Sequence, residues 1–455
     1  MSLSGTLTQT VTPRVIEQPF SHSATASPPL TAAKEVSRRL ALHTPEVGAA
    51  ESWRDVLNPI LPTACAVVLS GALLSTAGLC AAQPTDDAAL SARALVDAGN
   101  TARLQRVLAK ARRGEPITVG VIGGSITAGA AASSQEKTYG GLVTQWWGHT
   151  FPGLEATFVN AGIGATGSNY GALRAQRDLL SKHPDLVIAE YGVNDGNGEQ
   201  WAETLEGLVR QTLRQPQQPA VMLMFMMNNA GGNAQEWHGK VGAHYHLPMI
   251  SLRDALWPEI EAGRMKWEDV EADVVHPNDR GHAYAARFVT SFIESVLRTL
   301  PPDDQLPAIE PMPEPLISDL FEHVTLFEAP DLQPVSNNGW ALDEANGCWK
   351  SDSPGSIVEF EVRGRVVLLM DFHLRGPMGK ARVQVDDLPP VVREAWFDQT
   401  WGGYRETLEI ARFAEPGTHR VRVELLEDKN PESEGHEFRI FGLGGAGVEP
   451  GPPRM

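Results

Sequence analysis

Between Ile117 and Leu300, short β-branched apolar runs alternate with longer runs of helical periodicity. That alternation constrains the fold more than any other feature, because strand–helix–strand repeats build a parallel sheet with helices on both faces. Strand-like runs lie at 118–122, 157–159, 186–191, 221–227 and 249–252. Helix-like runs lie between them at 139–149, 170–182, 202–213 and 234–245. In the last helical run Ala285, Phe288, Val289, Phe292, Ile293, Val296 and Leu297 follow the i, i+3, i+4, i+7 rule. A further helical pattern covers 87–112, with Leu90, Ala94, Leu95, Leu104, Val107 and Leu108 on recurring faces. The expectation is an α/β domain over 84–300 with three layers, helices enclosing a parallel sheet of about five strands.

The signals change after Leu300. Pro301, Pro302, Pro307, Pro311, Pro313 and Pro315 mark 301–317 as a semi-rigid linker. Beyond it the apolar residues recur with period two, as at Val383 and Val385, Val421 and Val423, and Phe438 and Ile440. Residues 318–448 therefore read as an all-β sandwich, followed by a short tail at 449–455. At the other end, residues 1–83 hold a Ser-, Thr- and Pro-rich stretch read as disordered. It is followed over 57–82 by an apolar segment that suits a signal-peptide core better than a membrane span. Its unusual depth in the chain implies a translation start near Val47 or Val56. The expected location is secreted or periplasmic. Of the three cysteines, Cys65, Cys80 and Cys348, only Cys348 lies beyond that segment, so no internal disulfide is expected in a processed chain. A net charge of −18 argues against nucleic acid and against an anionic membrane surface, both of which call for clustered Lys and Arg.

Polar or glycine residues follow the strand runs at Gly123-Gly124-Ser125, at 160–168, at Gly192-Val193-Asn194-Asp195 and at 228–233. Past the last strand stands Asp273-Val274-Val275-His276. In a parallel sheet all of these gather at one rim. A serine hydroxyl becomes nucleophilic when an adjacent base takes its proton, and His276 is a base that titrates near neutrality. Asp273 is placed to orient it. Oxyanion donors are offered by the Asn194 amide, the Ser125 N–H and backbone N–H groups between Gly162 and Ala165. Serine is also a good helix N-cap, and Asp273 and His276 can anchor the final helix; neither structural role accounts for all the placements together.

The ordered blocks resemble the SGNH (GDSL-like) hydrolase superfamily over roughly 115–300. Gly124-Ser125-Ile126 is similar to the first block, Asn160-Ala161-Gly162 to the second, Gly192-Val193-Asn194-Asp195 to the third and Asp273-Val274-Val275-His276 to the fifth. The resemblance implies Ser125 as nucleophile, His276 and Asp273 as base and acid, and Asn194 with Gly162 or Ala165 as oxyanion donors. Two departures stand out. Gly124 takes the place of the family's usual Asp, and Ala165 that of its donor glycine. With its β part, the chain looks most like bacterial carbohydrate acetylesterases, and the loop 228–238 is similar to a group acting on xyloglucan. That likeness implies an acetylated carbohydrate as substrate and a reaction without metal or organic cofactor. A lipase-like or thioester hydrolase, or a carbohydrate-binding protein with an inactive hydrolase half, are the alternatives.

Other motifs carry less. Gly162-Ile163-Gly164-Ala165-Thr166-Gly167 matches the dinucleotide fingerprint but follows the second visible strand, not the first. No G-x-S-x-G elbow is present, since Thr127 fills the last position. Trp237, His238, His244 and His246 match no standard ligand spacing and read as surface or loop residues. Trp396, Phe397, Trp401 and Tyr404, around Gly402-Gly403, suit either a sugar-stacking surface or an apolar plug between the domains.

Overall fold

A computed structural model describes residues 86–448. The stretches read from the sequence as disordered and signal-like, Cys65, Cys80 and the tail 449–455 lie outside the described residues. The described chain opens with α1 (Asp87–Ala94), β1 (Leu95–Asp97) and α2 (Ala102–Arg112). It continues as β2 (Ile117–Gly123), α3 (Ser125–Ala128), α4 (Tyr139–Thr150), β3 (Ala156–Gly162) and α5 (Ser168–Asp178). Then come β4 (Leu186–Glu190), α6 (Glu199–Leu213), β5 (Ala220–Phe225), α7 (Gln235–His244), β6 (Met249–Ser251), α8 (Leu252–Glu261) and α9 (Asp279–Arg298).

The sheet order is β1-β6-β5-β4-β2-β3, and every pairing is parallel except β1 with β6. The five expected strands are present, and a sixth makes the sheet mixed. That sixth strand comes from within the helical pattern of 87–112, which the structure breaks after Ala94. Gly99 enforces the break. It has φ +54°, and a Cβ there would lie 2.4 Å from the His246 carbonyl oxygen. The strands are apolar on both faces, yet alternation sorts them. Val119, Val121, Ile188 and Met222 pack under α2, α4 and α9, whereas Val187, Val221 and Leu223 pack under α5, α6 and α7. β2 pairs with β3 on one side and β4 on the other. Ser125 thus follows the strand at which the sheet reverses its winding, where open α/β sheets leave a crevice.

The proline-rich passage lies along the α/β surface. Arg112 donates to the Pro301 carbonyl at 3.0 Å and Arg106 to that of Pro307 at 3.1 Å. Glu206, buried in α6, accepts the N–H groups of Leu316, Ile317 and Ser318 at 2.5, 2.9 and 3.1 Å.

Past it run β7 (Val324–Glu328), β8 (Ser336–Asn338), β9 (Ala341–Asp343), β10 (Cys348–Ser351), β11 (Ile357–His373), β12 (Lys380–Val385), β13 (Val391–Glu394), β14 (Tyr404–Leu425) and β15 (Phe438–Ala446). All pair antiparallel within one hydrogen-bonded sheet. The two layers expected of a sandwich are two halves of this sheet, folded over along the β11–β14 ribbon. β12 pairs with the far half of β14, and β15 with the far half of β11. A register irregularity between Gly364 and Val366 is the hinge of the arrangement. Before it Val358, Phe360 and Val362 face the β core; after it Val367 and Leu369 do. Across it β11 advances two residues while β14 advances five, and the parity of β11 flips. The flip turns Val366 and Leu368 outward, into the apolar layer shared with Leu173 and Leu205 of the α/β part and with Phe321 just before β7. Polar ties reinforce that seam. Asn169 Nδ2 donates to the Thr407 carbonyl at 2.6 Å, Tyr170 Oη to Glu328 at 2.7 Å, and Arg412 to Glu203 at 2.8 Å.

Candidate active site

The strand tips hold the site in place before any side chain reacts. Arg174, fully buried on α5, donates to the Ala161 carbonyl at 2.7 Å and to the Gly123 carbonyl at 3.2 Å, tying together the ends of β3 and β2. On the neighbouring strand Glu190 is sealed from solvent and accepts the Gly192 N–H at 2.9 Å. Burial pushes its carboxyl up to about 8.

Ser125 opens α3, and its Oγ lies 2.8 Å from His276 Nε2. His276 Nδ1 lies 2.7 Å from Asp273 Oδ2, and Asp273 Oδ1 accepts the N–H groups of Val275 and His276, each at 2.9 Å. Burial pushes the Asp273 carboxyl up, but these hydrogen bonds outweigh it and hold the group below the ordinary Asp value. The Asp273 carbonyl is itself anchored by Trp267 Nε1 at 2.5 Å. Asn278 caps α9, accepting the N–H groups of Arg280 and Gly281. Asp279 then grips the loop beyond α3 by accepting Ser133 N–H at 2.7 Å, Ser133 Oγ at 2.8 Å and Lys137 Nζ at 2.7 Å. Serine and histidine, 151 positions apart, are thereby brought onto facing loops.

The donor candidates separate. The Gly162 N–H is committed to Asn160 Oδ1 at 2.9 Å, so its expected role as an oxyanion donor is corrected. The Ala165 N–H has no hydrogen-bond acceptor among the described residues, and Ala165 adopts φ +54°, the left-handed conformation that a glycine there would take more readily. Asn194 Nδ2 is likewise without an acceptor among the described residues. Its Oδ1 is buried against Gly124, where a Cβ would sit 2.0 Å away. Gly124, in the position of the family's usual Asp, is thus fitted to the seat of Asn194.

A cleft of about 340 Å³ opens beside Ala165 and Asn194. Trp201 and Gln200 line one wall, and Tyr404 and Glu406 of β14 line the other. Tyr404 continues into an aromatic group, with Trp401 at 5.9 Å and Phe397 at 5.1 Å between ring centroids. Trp401 is 60% exposed, which excludes the plug reading for it. Trp396 is half-buried beneath the Arg375 guanidinium and packs on the β core. Below Tyr404, Asp371, His373 and Glu406 converge. Burial lowers the His373 imidazole, but hydrogen bonds to Asp371 and Glu406 lift it to about 9. Arg393 also reaches both carboxylates.

Among the histidines, His244 and His246 are half-buried or exposed, paired with the Glu314 carbonyl and with Glu310. His238 departs from the surface or loop reading: it is 1% exposed and lies 3.1 Å from Asp195 Oδ2. Sequence reasoning also passed over Arg174 and Trp201. A lone Arg or Trp on a helical face carries no signal of what it meets.

The mostly parallel sheet, with Ser125 after β2, Asn194 after β4 and Asp273-x-x-His276 past β6, defines a class that can be compared with known proteins. Residues 121–284 match the model of the GDSL-like lipase/acylhydrolase family, and the chain belongs to that family. The likeness extends over both halves to a two-domain esterase (CEX) active on acetylated mannans. It is 32% identical, with a TM-score of 0.73 over 79% of this chain and 99% of that one. The structure of that esterase co-crystallised with mannopentaose is also 32% identical, with a TM-score of 0.70 over 80% and 99%. No curated protein matches the sequence. Among the described residues no helix is long and apolar enough to cross a membrane.

Proposed function

We propose that this chain is a secreted serine esterase that removes O-acetyl groups from a plant-type polysaccharide. The observation that carries the reading is the hydrogen-bonded run Ser125–His276–Asp273, at 2.8 and 2.7 Å, together with donors at Asn194 and Ala165 that meet no acceptor among the described residues. Ser125 Oγ attacks the ester carbonyl while His276 Nε2 takes its proton, and Asp273 holds the ring in the tautomer that allows this. The tetrahedral oxyanion accepts from Asn194 Nδ2 and the Ala165 N–H. Collapse breaks the bond to the sugar oxygen, which leaves with the proton from His276. Water, deprotonated by the same imidazole, then releases acetate from Ser125. Nothing in these steps calls for a metal or organic cofactor.

The cleft beside the donors supports a sugar as the leaving alcohol, with Trp401 and Tyr404 as stacking faces on the β side and Trp396 behind them. Similarity to an esterase active on acetylated mannans makes acetylated mannan the first substrate to test, ahead of xyloglucan. Export through the signal-like stretch 57–82 is consistent with a polymer found outside the cell. Acetate release from acetylated mannan, xyloglucan and xylan, with p-nitrophenyl esters of increasing acyl length, tests the reading. Activity should be greatest with acetyl esters and vanish in Ser125→Ala. A preference for long chains would instead indicate a lipase, and full activity in Ser125→Ala would overturn the mechanism.

A further inference from the structure

The two oxyanion donors come from different strands. Asn194 follows β4 and Ala165 follows β3, and no backbone–backbone hydrogen bond among the described residues joins 163–168 to 192–196. One buried carboxylate joins them. Asp195, adjacent to Asn194, accepts the Ser168 N–H through Oδ1 at 2.9 Å, at the start of α5 and three residues beyond Ala165. Gly167 leaves no gap between loop and carboxylate, since a Cβ there would stand 2.6 Å from Asp195 Oδ1. The other oxygen, Oδ2, meets His238 Nε2 at 3.1 Å. A carboxylate only accepts, so the imidazole donates. Both side chains are out of solvent, 0% exposed for Asp195 and 2% for His238. The helix bearing His238 is itself fastened to the Asn194 loop, because the Ala234 N–H donates to the Gly192 carbonyl at 2.8 Å.

We propose that Asp195 and His238 form a second, non-reacting Asp–His pair that sets the separation of the two oxyanion donors. His238 is then a positioning residue for acyl transfer. Its imidazole fixes the carboxylate, and the carboxylate fixes the Asn194 loop against the turn that presents the Ala165 N–H. The inference rests on the reading of Ser125, Asn194 and Ala165 given above. A donor held about 1 Å from its place weakens a transition state far more than a ground state. Loss of His238 should therefore appear in kcat and hardly in KM.

The experiment compares wild type, Ser125→Ala, His238→Ala, His238→Gln and Gly167→Ala in the full chain. It measures kcat and KM for p-nitrophenyl acetate, the rate of covalent labelling by diethyl p-nitrophenyl phosphate, and the melting temperature. His238→Ala should lower kcat by ~10–100-fold with KM within about twofold, and labelling should slow in parallel, because the phosphoryl oxygen needs the same donors. His238→Gln can place an amide N–H near the site of Nε2 and should recover most of the loss. Gly167→Ala keeps an ordinary φ of −92° but forces a methyl against Asp195 Oδ1 and the Trp201 ring, so it should lower kcat as His238→Ala does, even where that variant fails to fold. An active Ser125→Ala would remove the underlying reading. With Ser125→Ala inactive, wild-type kcat in folded His238→Ala or Gly167→Ala would overturn the inference alone. So would a loss that follows melting temperature with no rescue by Gln.

Discussion

Replacing Gly124 by Ala probes the oxyanion arrangement without touching a donor. A Cβ at Gly124 would lie 2.0 Å from Asn194 Oδ1 and 2.7 Å from its Cγ, whereas non-bonded heavy atoms settle at roughly 3.5 Å. The amide must therefore retreat by about 1.5 Å. The atoms in the way are the tip of one side chain, and φ at Gly124 is −86°, a value open to Ala. The fold can absorb the methyl, and the melting temperature should stay within a few degrees of wild type. Catalysis cannot absorb it so easily, because a displaced oxyanion donor lowers kcat by about 10²–10³, or ~3–4 kcal/mol. Steady-state hydrolysis of p-nitrophenyl acetate should accordingly show a fall in kcat of ~100-fold, with KM changed only a few-fold. A folded Gly124→Ala enzyme retaining kcat within threefold would refute both the seat of Asn194 against Gly124 and its part as donor.

Other perturbations have equally definite outcomes. Glu190 has its folded value, about 8, above the 4.5 of an ordinary Glu. Its stabilising contribution is full below pH ~4.5 and is lost as pH rises through about 8, a change of roughly 5 kcal/mol at ~1.4 kcal/mol per pH unit. Glu190→Gln, measured by chemical denaturation at several pH values, should flatten that decline; an unchanged slope would contradict the assignment. Ala165→Gly should keep kcat and leave stability within about 1 kcal/mol, since relief of the left-handed strain offsets the added freedom of the unfolded chain. Trp401→Ala, at an exposed ring, should leave p-nitrophenyl acetate kinetics and melting temperature unchanged while raising KM for an acetylated polymer. Equal KM on the polymer would remove Trp401 from the substrate path.

Much of the α/β half is legible in the sequence because its signals are local. The β-branched run ending in Gly123-Gly124-Ser125, the motif Gly192-Val193-Asn194-Asp195 and the periodicity of 285–297 each declare themselves within a dozen residues. What escapes is set by distant partners. β1 is three residues long, too short for any period, and exists because Met249 and Ile250 offer it an edge. α8 is masked by Pro258 within it, although Ser251 caps it by accepting the Asp254 N–H. Gly162 is one of the candidate donors in the sequence until Asn160, two residues earlier, takes up its N–H. His238 looks like any helical histidine because its partner, Asp195, stands 43 positions away. Nor does the period-two pattern reveal that both halves of the β region belong to one sheet. The register irregularity near Gly364 is confined to a few residues of β11 and β14.

That local irregularity governs modularity. By turning Val366 and Leu368 toward the α/β half, it makes β11 a party wall with an apolar surface on each side. A chain cut in the proline-rich passage would bare Leu173 and Leu205 on one piece and Val366 and Leu368 on the other. The C-terminal half is therefore not a cassette to be grafted onto another hydrolase or trimmed for expression. Described residues 86–448 should melt in one cooperative transition, so heating cannot loosen the sugar-facing aromatics while sparing the serine.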